Sequence, residues 1–169
     1  MFGGANRSDQ EETQVKVLIL YYTKTGHTLE AANATAEGIC AAGSEADLIA
    51  AQAFDPAQLA GYDALIVASP CWAGALDQFL LPKPMERALT ALAADALQGV
   101  RCGGISVHSG MGGENTIRHV GEVLAQKENT DYRPGPAARA GVPFSLWVGP
   151  SVKPGDEARF REYGVAFVA

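Results

Sequence analysis

The sequence predicts an α/β protein, a doubly wound parallel sheet with helices on both faces, and three observations carry that prediction. Apolar runs of strand length alternate five times with segments of helical spacing. The main runs are continuously apolar rather than alternating, as strands covered on both faces must be. The composition, 47% hydrophobic and 19% charged over 169 residues, suits one core, with no internal repeat and no linker to divide it.

Val15 to Tyr22 is the first strand, an apolar run rich in β-branched and aromatic residues. A helix over Thr28 to Ala42 follows, with Leu29, Ala32, Ala36, Ile39 and Cys40 on one face and Gly43 to end it. Ala46 to Ile49 is a short second strand. Asp55-Pro56 starts a short helix, Asp as cap and Pro in the first turn, and Gly61 closes it. Ala64 to Ser69 is the third strand, ended by Pro70, and a helix presenting Met85, Leu89, Leu92 and Leu97 comes next. Arg101 to His108 is the fourth strand; a glycine-rich loop leads to a helix near Glu114 to Glu128. Asn129 to Gly141 is rich in Pro, Gly and Ala without periodicity and reads as an irregular segment. Phe144 to Val148 is the fifth strand, with Trp147 in the core, and Pro154 to Phe167 is the closing helix with Phe160, Tyr163 and Phe167 inward.

The stretch Thr23-Lys24-Thr25-Gly26-His27-Thr28 lies between the first strand and its helix. Such a loop aims unpaired backbone N–H groups at one point, and the helix dipole adds partial positive charge there. Three threonine hydroxyls supply further donors, and Gly26 lets a ligand approach the backbone. These features fit a phosphate monoester; the bland alternative is a strand-to-helix turn with threonine caps. Gly-Lys-Ser/Thr and Gly-x-Gly-x-x-Gly are both absent, which excludes the Mg-nucleotide cradle and the dinucleotide fingerprint. Lys24 either adds charge to the phosphate or extends into solvent, and His27 either supports the phosphate, lines the crevice rim or faces solvent.

Ile19, Leu20, Tyr21, Thr23, Gly26, Thr28 and Ala32 together resemble the signature of the flavodoxin family. Thr35 departs from it, since the family prefers an aliphatic residue there, and this touches helix packing rather than the loop. The resemblance covers nearly the whole chain from Val15 and implies a flavodoxin-like three-layer sandwich, a five-stranded parallel sheet in the order 2-1-3-4-5. It implies FMN as cofactor, with its 5′-phosphate in the Thr23–Thr28 loop. That strand order puts a switch point between strands 1 and 3, where three loops converge.

The second loop, Pro70-Cys71-Trp72-Ala73-Gly74, looks like the segment beside the flavin ring in this family. Trp72 either stacks on that ring or covers a hydrophobic edge, and Cys71 either touches the ring or is a buried inert thiol. The third loop, Ser109-Gly110-Met111-Gly112-Gly113, lacks the aromatic that many flavodoxins carry. It is closer to flavodoxin-like NAD(P)H:quinone oxidoreductases, and its glycines would admit backbone N–H groups to the polar edge of the ring; the bland alternative is an ordinary flexible turn. His108 precedes it, placed either to hydrogen-bond a flavin carbonyl or quinone or simply to end a strand; His119 is mid-helix and structural.

Net charge is −6, with a pI of about 5.0, which makes nucleic acid and anionic membranes poor partners and a basic redox-partner surface a fitting one. No apolar run approaches the ~20 residues that cross a bilayer. Met1 to Gln14 is polar without an apolar signal segment, so a loose tail and a cytoplasmic protein are expected. Cys40, Cys71 and Cys102 are far apart and odd in number, which argues against zinc and a disulfide framework. No catalytic triad or metal-ligand cluster stands out, and no acidic pair follows the first strand, which disfavours a phospho-acceptor receiver. The residues leave three readings: an FMN electron carrier as the first expectation, an FMN-dependent NAD(P)H:quinone or related reductase as the alternative, and a flavin-free interaction module.

Overall fold

The computed structural model describes residues 14–73, 79–141 and 149–169, with the backbone alone at 72, 73, 79 and 80. Strand β1 spans Lys16–Tyr21, and its four central residues, Val17 to Leu20, are fully buried. That double-sided burial is why the run is apolar without alternation. Helix α1 (His27–Ala41) leads to β2 (Glu45–Ala50), one residue longer at each end than expected because Glu45 and Ala50 also pair with β1. A 3-10 helix, Pro56–Gly61, fills the return: the Asp55 carboxylate accepts from Ala57 N–H at 3.0 Å, and Gln58 accepts from Asp55 N–H at 2.9 Å. Then come β3 (Ala64–Pro70), α2 (Lys83–Thr90), β4 (Arg101–His108), α3 (Gly113–Ala125), β5 (Tyr132–Arg139) and α4 (Pro154–Val168). A two-strand antiparallel ribbon, Trp72–Ala73 with Phe79–Leu80, lies between β3 and α2.

All neighbours in the main sheet are parallel, in the order β2-β1-β3-β4-β5, as the resemblance implied. Alternate strand residues feed two cores. Val17, Ile19, Ile66, Ile105 and Val107 pack under α1 and α4 with Ile39, Phe160 and Phe167. Leu18, Leu20, Leu65, Val67 and Cys102 pack under α2 and α3 with Met85, Leu89, Val120 and Leu124. Each fully buried Leu, Ile or Phe contributes about 1.5–3 kcal/mol of transfer free energy. Thr35, the departure from the family pattern, is fully buried in α1, and its hydroxyl donates to Ala31 C=O at 2.9 Å, so the polar atom is satisfied within its own helix.

The structure corrects the reading of Asn129 to Gly141. Eight of those residues form β5, and Pro134 and Pro136, which hide it in the sequence, sit where a ladder tolerates them. β5 is the outermost described strand, and its register slips between Gly104 and Ser106, so Ile105 faces both Gly135 and Pro136. Two tyrosine hydroxyls pin the region: Tyr132 donates to Ile117 C=O at 2.6 Å, and Tyr163 to the strand's own Arg133 C=O at 2.7 Å. The expected fifth strand, Phe144 to Val148 with Trp147, lies outside the described residues. Helix α2 is also shorter than its apolar spacing predicts. It ends at Thr90, and Leu92 and Leu97 reach the same core from turns. Likewise α3 stops at Ala125, three residues short of Glu128, where Glu128 takes a left-handed φ of 58°.

Candidate functional site

β1 sits between β2 and β3, and the chain leaves it in one direction and returns past it in the other. Connections therefore diverge at the carboxyl ends of β1 and β3 and open a crevice there. Backbone bonds past the ladder lace these ends together. Tyr22 N–H donates to Ala68 C=O at 3.1 Å, Cys71 N–H to Val107 C=O at 3.0 Å, and Ala140 N–H to His108 C=O at 2.9 Å. The three loops singled out in the sequence thus start from one fixed rim.

In the first loop, Gly26 N–H donates to Thr23 Oγ1 at 2.9 Å, a short side-chain-closed turn. Gly26 then takes φ 95°, and its missing Cβ points into space with no atom within 4 Å. α1 starts at His27, and its first intrahelical N–H bond is Glu30 to Gly26 C=O at 3.0 Å. The N–H groups of His27, Thr28 and Leu29 therefore precede the helical ladder, as at any helix start. Among the described residues no side-chain hydrogen bond engages the hydroxyls of Thr25 or Thr28. Lys24 is exposed beside them, and Thr28 is buried. The arrangement concentrates hydrogen-bond donors and the positive end of a dipole at one point.

His27 is buried, not solvent-facing. Its Nδ1 lies 3.4 Å from Glu30 Oε1, and the other carboxylate oxygen of Glu30 accepts Val152 N–H at 2.9 Å. Sequence reasoning missed both Glu30 and Val152. The three-residue spacing from His27 to Glu30 is the one local signal, and nothing local announces a partner 122 residues away.

The third loop repeats the first in outline. Gly112 takes φ 92° immediately before α3, and the Thr116 hydroxyl donates back to Gly112 C=O at 3.2 Å. Ser109 is half-buried and Gly110 exposed, with open space where a Cβ on Gly110 would point. Met111 is 79% exposed, which leaves a large apolar side chain at the rim. Gly113 is buried against the ring of His108 and Ala137, with room for no side chain of its own. The Nδ1 of His108 and the hydroxyl of Ser106 are buried with no hydrogen-bond partner among the described residues.

In the second loop, Pro70 closes β3, still paired with Val107. The Cys71 thiol donates to Met111 C=O at 3.4 Å and so ties the second loop to the third. Burial raises the pKa of this thiol, a hydrogen bond with Thr116 partly offsets that, and the charge of Glu114 adds to the rise. A rise in this direction disfavours the thiolate, the nucleophilic form. The backbone at Trp72 and Ala73 belongs to the small ribbon, the Trp72 side chain lies outside what is described, and Gly74 lies outside the described residues. His119 Nδ1 lies 3.4 Å from a carboxylate oxygen of Glu122 one turn on in α3. Among the described residues no group of three side chains is placed to hold a metal ion, and no helix is long and apolar enough to cross a membrane.

No protein-family model matches the chain, and no curated protein does. Solved structures do. A flavodoxin from Streptococcus pneumoniae TIGR4 superposes with a TM-score of 0.69 at 19% identity, over 89% of this chain and 97% of that one. A flavodoxin from the domain Archaea gives 0.72 at 17% identity, over 90% and 96%. The rubredoxin oxygen:oxidoreductase of Desulfovibrio gigas gives 0.67 at 18% identity, over 90% of this chain but 35% of that one. At these identities the likeness shows the fold, and the fold is flavodoxin-like.

Proposed function

We propose that this chain binds FMN and works as an electron-transfer protein. The observation that carries this reading is the first loop: a left-handed Gly26 opening onto space, helix-start N–H groups, and hydroxyls on Thr25 and Thr28 that no side-chain hydrogen bond among the described residues engages, all at the switch point. These residues fit a phosphate monoester. Thr23, Lys24, Thr25, Gly26, His27 and Thr28 would hold or frame the phosphate. Pro70, Cys71, Trp72, Ala73 and Gly74 would line one side of the ring, and His108 with Ser109, Gly110, Met111, Gly112 and Gly113 the other. When bound, FMN supplies the redox chemistry. The chain's own part is to orient it, to keep Cys71 protonated beside it, and to leave Met111 at a rim a partner can approach. The flavodoxin neighbours support the carrier role, and the D. gigas oxidoreductase supports the same unit serving within larger redox enzymes.

One observation favours a second reading, an NAD(P)H:quinone or related reductase. The third loop carries no aromatic, and Gly110 borders open space beside an exposed Met111, which leaves room for a flat acceptor. The net charge of −6 favours the carrier and a basic partner. A cytoplasmic setting and a single FMN-binding domain from residue 15 onward complete the proposal.

FMN and riboflavin titrations test the phosphate assignment. A hydrogen bond to a charged group contributes about 1.5–3 kcal/mol, so Thr25→Ala with Thr28→Ala should weaken FMN more than about a hundredfold if the effects add. Riboflavin, which has no phosphate, should bind the wild type and the double variant equally poorly. A wild type that holds riboflavin as tightly as FMN sinks the reading.

A further inference from the structure

We infer that Glu30 is a positioning residue for the phosphate loop, acting through His27 and Val152 to make the site discriminate a phosphorylated flavin from its unphosphorylated form. The inference rests on the reading of the first loop as a phosphate site. A carboxylate in the first turn of a helix satisfies the dipole. In a turn that takes a phosphate, however, the same charge repels the ligand. The geometry resolves the conflict, because both oxygens of Glu30 are committed elsewhere.

One oxygen lies 3.4 Å from Nδ1 of His27, the residue that follows Gly26, and so fixes an imidazole that is itself 4% exposed. The other accepts Val152 N–H at 2.9 Å. Val152 is 3% exposed, packs with the α1–α4 core, and stands two residues before α4. A single side chain therefore joins the loop's first helical residue to the segment entering the last helix. Gly26 has no side chain to anchor it, and its N–H bond to Thr23 Oγ1 is local to the loop. The Glu30 clasp is a long-range polar tie to the start of α1, and it holds the donors of His27 and Thr28 in one orientation. Binding that depends on several donors aimed at one point is sensitive to small displacements of the element carrying them.

The carboxylate acts by geometry here and not by charge, and two substitutions separate these roles. Glu30→Gln keeps an oxygen able to accept Val152 N–H and removes the charge; Glu30→Ala removes both. FMN and riboflavin affinities are measured for wild type and both variants, with the thermal midpoint of each as a check on folding. Glu30→Ala should weaken FMN about tenfold, the worth of one well-placed hydrogen bond, and leave riboflavin within about twofold. Glu30→Gln should hold FMN at or above wild-type affinity.

Equal loss of FMN and riboflavin in Glu30→Ala would mean general loosening and overturns the assignment, as does unchanged or tighter FMN binding in that variant. A Glu30→Gln variant as weak as Glu30→Ala overturns it too, because charge would then be the agent. A wild type that fails to prefer FMN over riboflavin overturns the phosphate reading beneath it. A wild type that discriminates while Glu30→Ala discriminates equally overturns this assignment alone.

Discussion

Gly26 and Gly112 are the two residues on which the crevice geometry turns. Each takes a φ above 90° directly before a helix, a conformation that costs a residue with a Cβ roughly 1–2 kcal/mol. Gly26→Ala should therefore lower the unfolding free energy by about that amount, although space around the new methyl is open. Gly110→Ala, with the same open space and no left-handed φ, should change stability by less than about 0.5 kcal/mol. Urea titrations of the two variants check the contrast, and equal losses would show that the left-handed φ of Gly26 does not set the cost. The turn at Thr23 to Gly26 was legible in the sequence because a hydroxyl residue and a glycine between a strand and a helix mark such a turn. His27 was half legible. Its place at the helix start could be read, but its burial against Glu30 could not, since that depends on a segment beyond residue 148 folding back.

At the scale of elements, the contact between α1 and α4 decides how closely the helices approach. A Cβ on Gly38 would collide with the backbone carbonyl of Arg161, and one on Gly164 with that of Thr35. Glycine inside a helix costs up to about 1 kcal/mol in propensity, so replacement by Ala would help an isolated helix. Here overpacking against an immovable carbonyl costs about 1–3 kcal/mol and wins. Gly38→Ala and Gly164→Ala should each lower the melting temperature by several degrees. Gly155→Ala, in the open first turn of α4, should leave it unchanged or raise it. A calorimetric scan of the three variants reads the sign directly. The same level explains which elements the sequence disclosed. β1 and β3 are buried on both faces and so carry apolar runs, Val17 to Leu20 and Ala64 to Ala68. β5 is an edge among the described strands, where pairing on one side suffices; Tyr-Arg-Pro-Gly-Pro there has neither apolar continuity nor alternation, and the β4 ladder and two tyrosine hydroxyls hold the strand. Helix α2 ended early for the converse reason: Leu92 and Leu97 keep helical spacing in sequence while reaching the core from turns.

For the whole molecule, the buried ionisable groups set an alkaline limit. Burial, reinforced by Asp131, pushes the Cys102 thiol from 9.0 up to about 12. The Tyr132 and Tyr163 hydroxyls are likewise raised, mainly by burial. A folded-state value above the unfolded one means that the unfolded chain releases its proton first. This contribution is complete below about pH 9 and falls as pH rises through the interval up to about 12 for Cys102, with the tyrosines adding to the loss above pH 10. Urea midpoints should be nearly flat from pH 7 to 9 and then drop, on the order of 1 kcal/mol per pH unit for each group. Cys102→Ala should flatten the slope between pH 9 and 10 whatever it does to the absolute level; an unchanged slope there would assign the loss to other groups. At this scale the bulged outer strand has a consequence of another kind. Sheet proteins risk recruiting one another, because an unpaired strand is a template for the next chain. In β5 two of eight residues have no N–H to offer, and the register slip bends the backbone between them. A second molecule laid along that rim would find a broken ladder, so the prolines that disguise the strand in the sequence also make it a poor seed for aggregation.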